Sequence, residues 1–188
     1  MAEEIKSEEL LQAIADMRSK YKEMHESGKL EDPESITAIN EANSKVINLT
    51  LHSSFFVPAV ISNNTQLVQD KENHLKFEDK PQARFMLVKH AQNGTFLPVF
   101  TAKDEFEKVP HEENFQLVNM KFSDVATLTE QTPTINGFVI NPMTTNLPYT
   151  KEMLAGIKQT LIEARDRKLK EQQAAAAPNI TVTPGESK

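Results

Sequence analysis

The five histidines of this chain are the side chains whose chemistry can be tested most directly against their spacing. A metal site on one helix needs two histidines a single turn apart, as in the pattern His-Glu-x-x-His. None of the five has that spacing; they are His25, His52, His74, His90 and His111. The sequence therefore predicts no metal site, and only long-range folding could assemble one.

Nucleophiles and phosphate-binding loops are equally hard to find. The chain has no cysteine, and the serine pair Ser53 and Ser54 lacks the Gly-x-Ser-x-Gly pattern of a nucleophile elbow. A loop that binds phosphate needs clustered glycines so that backbone amides can approach the anion, yet the glycines here are widely separated. We expect no catalytic residue of these types and no cofactor.

Three polar residues do fall where strands are expected to end. Thr101 and Asp104 follow an apolar run, and Asn141 follows another. One interpretation is structural, because a Thr-x-x-Asp pattern can cap a helix and Asn-Pro can turn the chain. The alternative is a pocket near Thr101 and Asn141, to which His90 and His111 could contribute.

An apolar stripe marks the beginning of the chain. Its residues recur at alternating intervals of four and three, which is typical of one face of a helix; they are Leu10, Ile14, Met17, Tyr21 and Met24. The stripe could pack against the protein's own core, or it could bind an unknown protein partner or a second copy of the chain. Ser7 is the expected N-cap, Gly28 the expected end, and Asp32 with Pro33 the start of a second helix.

Short runs rich in β-forming residues predict about five strands between the helices. The run 55–61 contains Pro58, which favours an edge strand or a bulge. The runs 84–90 and 95–100 flank Asn93 and Gly94, a pair that tolerates the positive φ angles of a tight hairpin. Further strands are expected at 115–122 and 137–140, brief helices after Thr101 and Ser123, and a last helix from Thr150.

Composition narrows the classes of protein. The formal charge is −6, which argues against a protein whose main task is to bind nucleic acid or anionic lipid. No apolar run approaches the ~20 residues that span a bilayer. We therefore expect a cytoplasmic protein without nucleic-acid or membrane partners.

The order of the central segments resembles that of a known family. Phe-Phe-Val-Pro at 55–58, Thr-Phe-Leu-Pro-Val-Phe-Thr at 95–101 and Gly-Phe-Val-Ile-Asn-Pro at 137–142 are similar to the N-terminal domain of the SseB, or enhanced serine sensitivity, family. The resemblance implies an α/β (α+β) fold, with a mixed, mostly antiparallel sheet and flanking helices. It implies no catalytic residue, because the family has no established ones.

These observations define the expected organisation and role. Residues 1–31 are predicted to form an amphipathic helical extension, 32–165 the SseB-like domain, and 166–188 a polar helix end with a disordered tail. The absence of a catalytic constellation favours a non-enzymatic interaction or regulatory protein. The alternatives are an enzyme of unrecognised type and an accessory protein of the secretion or immunity kind.

Overall fold

The computed structural model describes residues 2–62, 67–69, 75–77, 82–90, 94–111 and 114–175. The chain divides into two compact units, Met1–Lys151 and Glu152–Lys188. Along it follow α1 (Ala2–Glu26), α2 (Pro33–Leu51), β1 (Ser54–Ser62), β2 (Leu67–Gln69), β3 (Leu75–Phe77), β4 (Gln82–Phe85), β5 (Val88–His90), β6 (Gly94–Val99), α3 (Lys103–Glu107), β7 (Gln116–Lys121), α4 (Phe122–Gln131), β8 (Gly137–Ile140), β9 (Leu147–Thr150) and α5 (Lys151–Ala175).

The predicted α+β class is confirmed, although the strands are divided differently from the single sheet that the sequence suggested. They form a three-stranded sheet β4-β1-β7, a pair β2-β3 and a four-stranded sheet β5-β6-β8-β9. All pairings between these strands are antiparallel except β6 with β8. A single bridge between Phe56 and Phe100 links the two larger sheets.

Helices α1 and α2 form a hairpin. Gly28 follows α1 with φ +68°, a conformation that favours glycine. Asp32 caps α2 as predicted, accepting hydrogen bonds from the Ser35 amide at 2.9 Å and the Ser35 hydroxyl at 2.7 Å. The prediction of Ser7 as an N-cap is wrong, because α1 already begins at Ala2 and the Ser7 hydroxyl instead donates to the Thr101 carbonyl at 3.3 Å.

Strand β1 lies in the centre of its sheet, so the predicted edge position is wrong. The reason lies in where Pro58 falls along the strand. The amide and carbonyl of Phe56 both bond Phe100, and two residues further along the same side the Pro58 carbonyl accepts the Met86 amide. The N–H that proline lacks would thus point to the place where the neighbour of β1 changes from Phe100 to β4, and no ladder bond is lost there.

The predicted hairpin of β5 and β6 is confirmed, with Val88 opposite Phe96 and His90 opposite Gly94. Gly94 has φ +90°, whereas Asn93 lies outside the described residues. The run 84–90 is not one strand, however, because Arg84 belongs to β4 in the other sheet. Strand β9 was not predicted at all, and a loop was expected in its place.

Two capping predictions fail in the same way. Helix α3 has Ala102 at its N-cap and α4 has Lys121, and neither helix has a side-chain cap. Thr101 and Ser123 therefore do not cap. The inward positions of α3 are confirmed, since Phe106 and Val109 are buried in a cluster with Met86 and Phe100.

The four-stranded sheet has one face wholly in the core. Its residues are Leu97, Val99, Phe138, Ile140 and Tyr149, each at most 2% exposed. The Tyr149 ring stacks on Phe138 at 5.0 Å between centroids, and its hydroxyl donates to the Thr50 hydroxyl at 3.0 Å, so this face is joined to α2. Burial raises the pKa of Tyr149.

Candidate functional site

Thr101 and Asn141 lie together at the ends of β6 and β8, as their positions in sequence suggested. The Asn141 amide oxygen accepts the Thr101 backbone N–H at 3.0 Å, and the Asn141 amide nitrogen donates to the Thr101 hydroxyl at 2.8 Å. Asn141 is fully buried and Thr101 is 7% exposed. Because each satisfies the other, the pair is a polar connection inside the core and presents no group to a ligand.

The opposite face of the same sheet carries a groove. Cross-strand partners lie on one face, and the pairs Val88 with Phe96 and Val139 with Pro148 supply its floor. We call it the sheet groove; it has a volume of about 460 Å³ and is lined by Val88, Lys89, His90, Phe96, Val109, Val139, Pro142, Met143, Asn146 and Pro148. Its lining is mainly apolar, with a few polar groups at one side, which is the usual character of a binding cleft.

The chain between β8 and β9 forms one wall of the sheet groove. Asn141 starts this loop with φ +45°, and its carbonyl accepts the amides of Thr144 at 3.1 Å and Asn146 at 2.8 Å. Asn146 also has a positive φ, +43°. Two non-glycine residues in the left-handed region within six positions mark a loop whose conformation is imposed by its surroundings.

Two side chains from outside the loop hold it from either side. The Arg18 guanidinium of α1 donates to the Thr145 carbonyl, and to the Asn146 carbonyl at 3.5 Å. The Thr144 hydroxyl donates to the Glu105 carboxylate of α3. The wall that carries Met143 is thus anchored to two helices, while the Met143 side chain itself is 60% exposed.

Glu105 is the ionised member of this anchorage. Burial raises the pKa of its carboxyl, but hydrogen bonds from Lys108 and Thr144 and the Lys108 charge outweigh that effect and hold the pKa below its usual value. The Lys108 ammonium lies 2.5 Å from the carboxylate. The negative charge of Glu105 is therefore compensated within α3 and its flank.

The structure places the other predicted site residues apart from the sheet groove. Asp104 is exposed on α3, and His111 stacks on Phe106 with 3.9 Å between ring centroids. Of Asp104, His90, His111 and Asn141, only His90 lines the groove. Within the described ranges, no three His, Asp or Glu side chains lie close enough together to hold a metal ion.

The stripe on α1 is divided between core and surface. Leu10, Ile14 and Met17 are at most 9% exposed, so intramolecular packing already occupies them. Tyr21 is 42% exposed, and its hydroxyl accepts a hydrogen bond from Asn43 of α2 at 2.9 Å. Met24 is half-buried beside α2.

Sequence reasoning missed the apolar floor and wall of the groove. Val88 and Phe96 were read as members of a hairpin, without a role, and Pro148 was assigned to a loop. The available signal was the alternation of 88, 90 and of 96, 98, which places each set on one face. Joining these to Val139 needed the parallel pairing of β6 with β8, which no local pattern reveals.

Comparison with known proteins gives one match. Residues 34–155 match the family model described as the SseB protein N-terminal domain. No curated protein and no solved structure matches the chain. Among the described residues, no helix is long and apolar enough to cross a membrane.

Proposed function

The chain belongs to the SseB family, through its N-terminal domain, and from this premise we propose that it is a protein-interaction module. The surface that binds the partner is the sheet groove. The bound segment buries apolar side chains against the floor formed by Phe96 and Val139 and against the Met143 wall. The role is regulatory or accessory and requires no reaction on the partner.

The observation that carries this proposal is the pairing of a fixed apolar floor with an exposed apolar wall. Phe96 and Val139 are 3% and 5% exposed, so the floor is set by sheet packing before any partner arrives. Met143 is 60% exposed and adaptable in shape, and methionine is common at surfaces that accept varied apolar segments. Burying such a side chain on binding contributes ~1.5–3 kcal/mol.

A preformed groove also lowers the cost of association. Arg18 and Glu105 already hold the loop, so little backbone ordering is left for the binding step. Ordering of loops and side chains is one of the main free-energy costs of complex formation. The anchored loop therefore supports a binding role for this face more than for the other described surfaces.

Support for the alternative functions is smaller. An enzyme with a pocket near Thr101 and Asn141 would use side chains that are buried and mutually bonded. Binding through the α1 stripe would use Leu10, Ile14 and Met17, which are already packed inside.

Site-specific photocrosslinking in the native host cell tests the proposal. A photoreactive phenylalanine analogue replaces Met143 in one version of the chain and Leu30 in another. Leu30 is a matched control, because it is 51% exposed and lies outside the groove lining. We expect a discrete crosslinked protein from position 143 that is absent from position 30.

Two results would count against the proposal. Identical crosslink patterns from the two positions would indicate non-specific contact. A partner that crosslinks at position 30 and not at position 143 would move the binding surface to the hairpin of α1 and α2.

A further inference from the structure

Resting on the proposed function, we propose that the segment bound in the sheet groove is an acidic apolar peptide. Its apolar side chains lie on the floor, and its carboxylate lies at the β5 end, beside Lys89 and His90. The structure assigns this chemistry to the partner through the charges that line the groove.

The lining is unusual for so acidic a chain. The sequence contains 27 Asp and Glu against 21 Lys and Arg, yet no carboxylate lines the groove, whereas a lysine and a histidine do. Both lie on β5. The groove therefore has an apolar floor with its ionisable groups confined to one end, and all of them are basic.

The position of β5 explains how both residues reach the groove. Alternation along the strand places the His90 Cβ on the same face as Val88 and the Lys89 Cβ on the other. Because β5 is the edge strand of its sheet, no further strand covers Lys89, and its long exposed side chain lines the groove as well.

The charge of Lys89 is available to a partner. The structure records no ion pair of Lys89 with another described residue. Glu105, the carboxylate that contacts the groove wall through Thr144, is paired with Lys108. The positive end of the groove is thus not neutralised by the wall opposite.

Local charge outweighs net charge in this recognition. The net charge of −6 repels an acidic peptide at long range. At physiological ionic strength the screening length is ~8 Å, so only charges near the groove act strongly on a bound carboxylate. A charge-assisted hydrogen bond from an ammonium or imidazole to that carboxylate is stronger than a neutral one.

Selection from random peptides displayed on phage tests the inference with the full-length chain. Selected peptides are synthesised, and their affinity is measured by isothermal titration calorimetry for the wild type and for Lys89→Gln, His90→Gln, Met143→Gln and Lys45→Gln. Lys45 is the matched control, because it is an exposed lysine of α2 that does not line the groove. Circular dichroism confirms that each variant is folded.

We expect the selected peptides to combine apolar residues with Asp or Glu, and Lys89→Gln to weaken their binding roughly tenfold while Lys45→Gln leaves it unchanged. Replacing the peptide carboxylate by its amide should cause the same loss, and the loss should vanish in the Lys89→Gln background.

The contrary outcomes separate the two proposals. Peptides that lose affinity with Met143→Gln but carry no acidic residue, or that are indifferent to both Lys89→Gln and His90→Gln, overturn the acidic partner and leave the groove as the binding surface. If no selected peptide depends on Met143, the proposed function itself fails.

Discussion

Replacing Asn141 is predicted to unfold the domain more readily without removing any group that could contact a ligand. Its side chain bonds both the backbone N–H and the hydroxyl of Thr101, and its own φ is +45°. Alanine at this position removes both hydrogen bonds and places a Cβ-bearing side chain without local polar support in the left-handed region. Glycine removes the same two hydrogen bonds but tolerates the backbone angle.

The two effects can be sized separately. Leaving the buried Thr101 N–H without an acceptor costs ~1–3 kcal/mol of unfolding free energy. Alanine in the left-handed region costs ~1–2 kcal/mol in addition. Asn141→Ala is therefore expected to lose ~2–5 kcal/mol, and Asn141→Gly roughly 1 kcal/mol less than that. For a chain of this size each kcal/mol corresponds to ~2–4 °C in the thermal midpoint.

Urea unfolding followed by circular dichroism measures these losses, with Thr101→Val as the partner variant. Because Thr101→Val removes the acceptor of the Asn141 amide, the double variant should lose ~0.5–3 kcal/mol less than the sum of the single variants. Our assignment is refuted if Asn141→Ala stays within ~0.5 kcal/mol of the wild type, the range of ordinary surface changes. Strict additivity with Thr101→Val would also refute it.

Three further variants test other parts of the structure. Gly137→Ala should prevent the pairing of β8 with β9, because an added Cβ would lie 2.0 Å from the Tyr149 carbonyl oxygen; a soluble variant with a wild-type thermal midpoint would contradict this. Leu10→Ala should cost ~2–5 kcal/mol in urea unfolding if α1 is part of the core, and under ~0.5 kcal/mol if α1 is dispensable. Glu105, whose pKa is lowered on folding, should contribute stability at pH above its usual value near 4.5 and lose it as pH falls from there through the folded-state pKa. Glu105→Gln should flatten that part of the unfolding curve against pH, and parallel curves for the two proteins would show that Glu105 is not responsible.

The sequence predicts elements whose determinants are local. Asn93 and Gly94 between two apolar runs specify the β5–β6 hairpin, because the turn and the flanking residues suffice to set the pairing. Asp32 with Pro33 specifies the start of α2 for the same reason, since the cap bonds only to Ser35. In both cases the partners lie within a few residues.

Long-range partners explain the failures. Thr101 has the local pattern of a cap, but Asn141, forty positions away, binds both its N–H and its hydroxyl. Pro58 has the local pattern of an edge residue, and only the arrangement of Phe100 and β4 along β1 permits its central position. Local composition does not contain these partners.

The same limit applies to the candidate site. The apolar stripe of α1 is legible, but whether Leu10 and Ile14 face the core or a partner depends on where α1 lies, and the structure buries them. The sheet groove requires the parallel register of Pro98 with Val139, formed across two intervening helices and a strand. Its floor could therefore be recognised only after the fold was known.

The affinity of matched groove and control variants tests the central claim most directly. The ligand is the partner protein crosslinked at position 143, and calorimetry compares Met143→Gln with Leu30→Gln, two neutral changes at exposed apolar residues. We predict that Met143→Gln weakens binding roughly tenfold or more, from the ~1.5–3 kcal/mol of apolar burial, and that Leu30→Gln leaves it unchanged. Equal affinities for the two variants would contradict the assignment of the sheet groove as the binding surface.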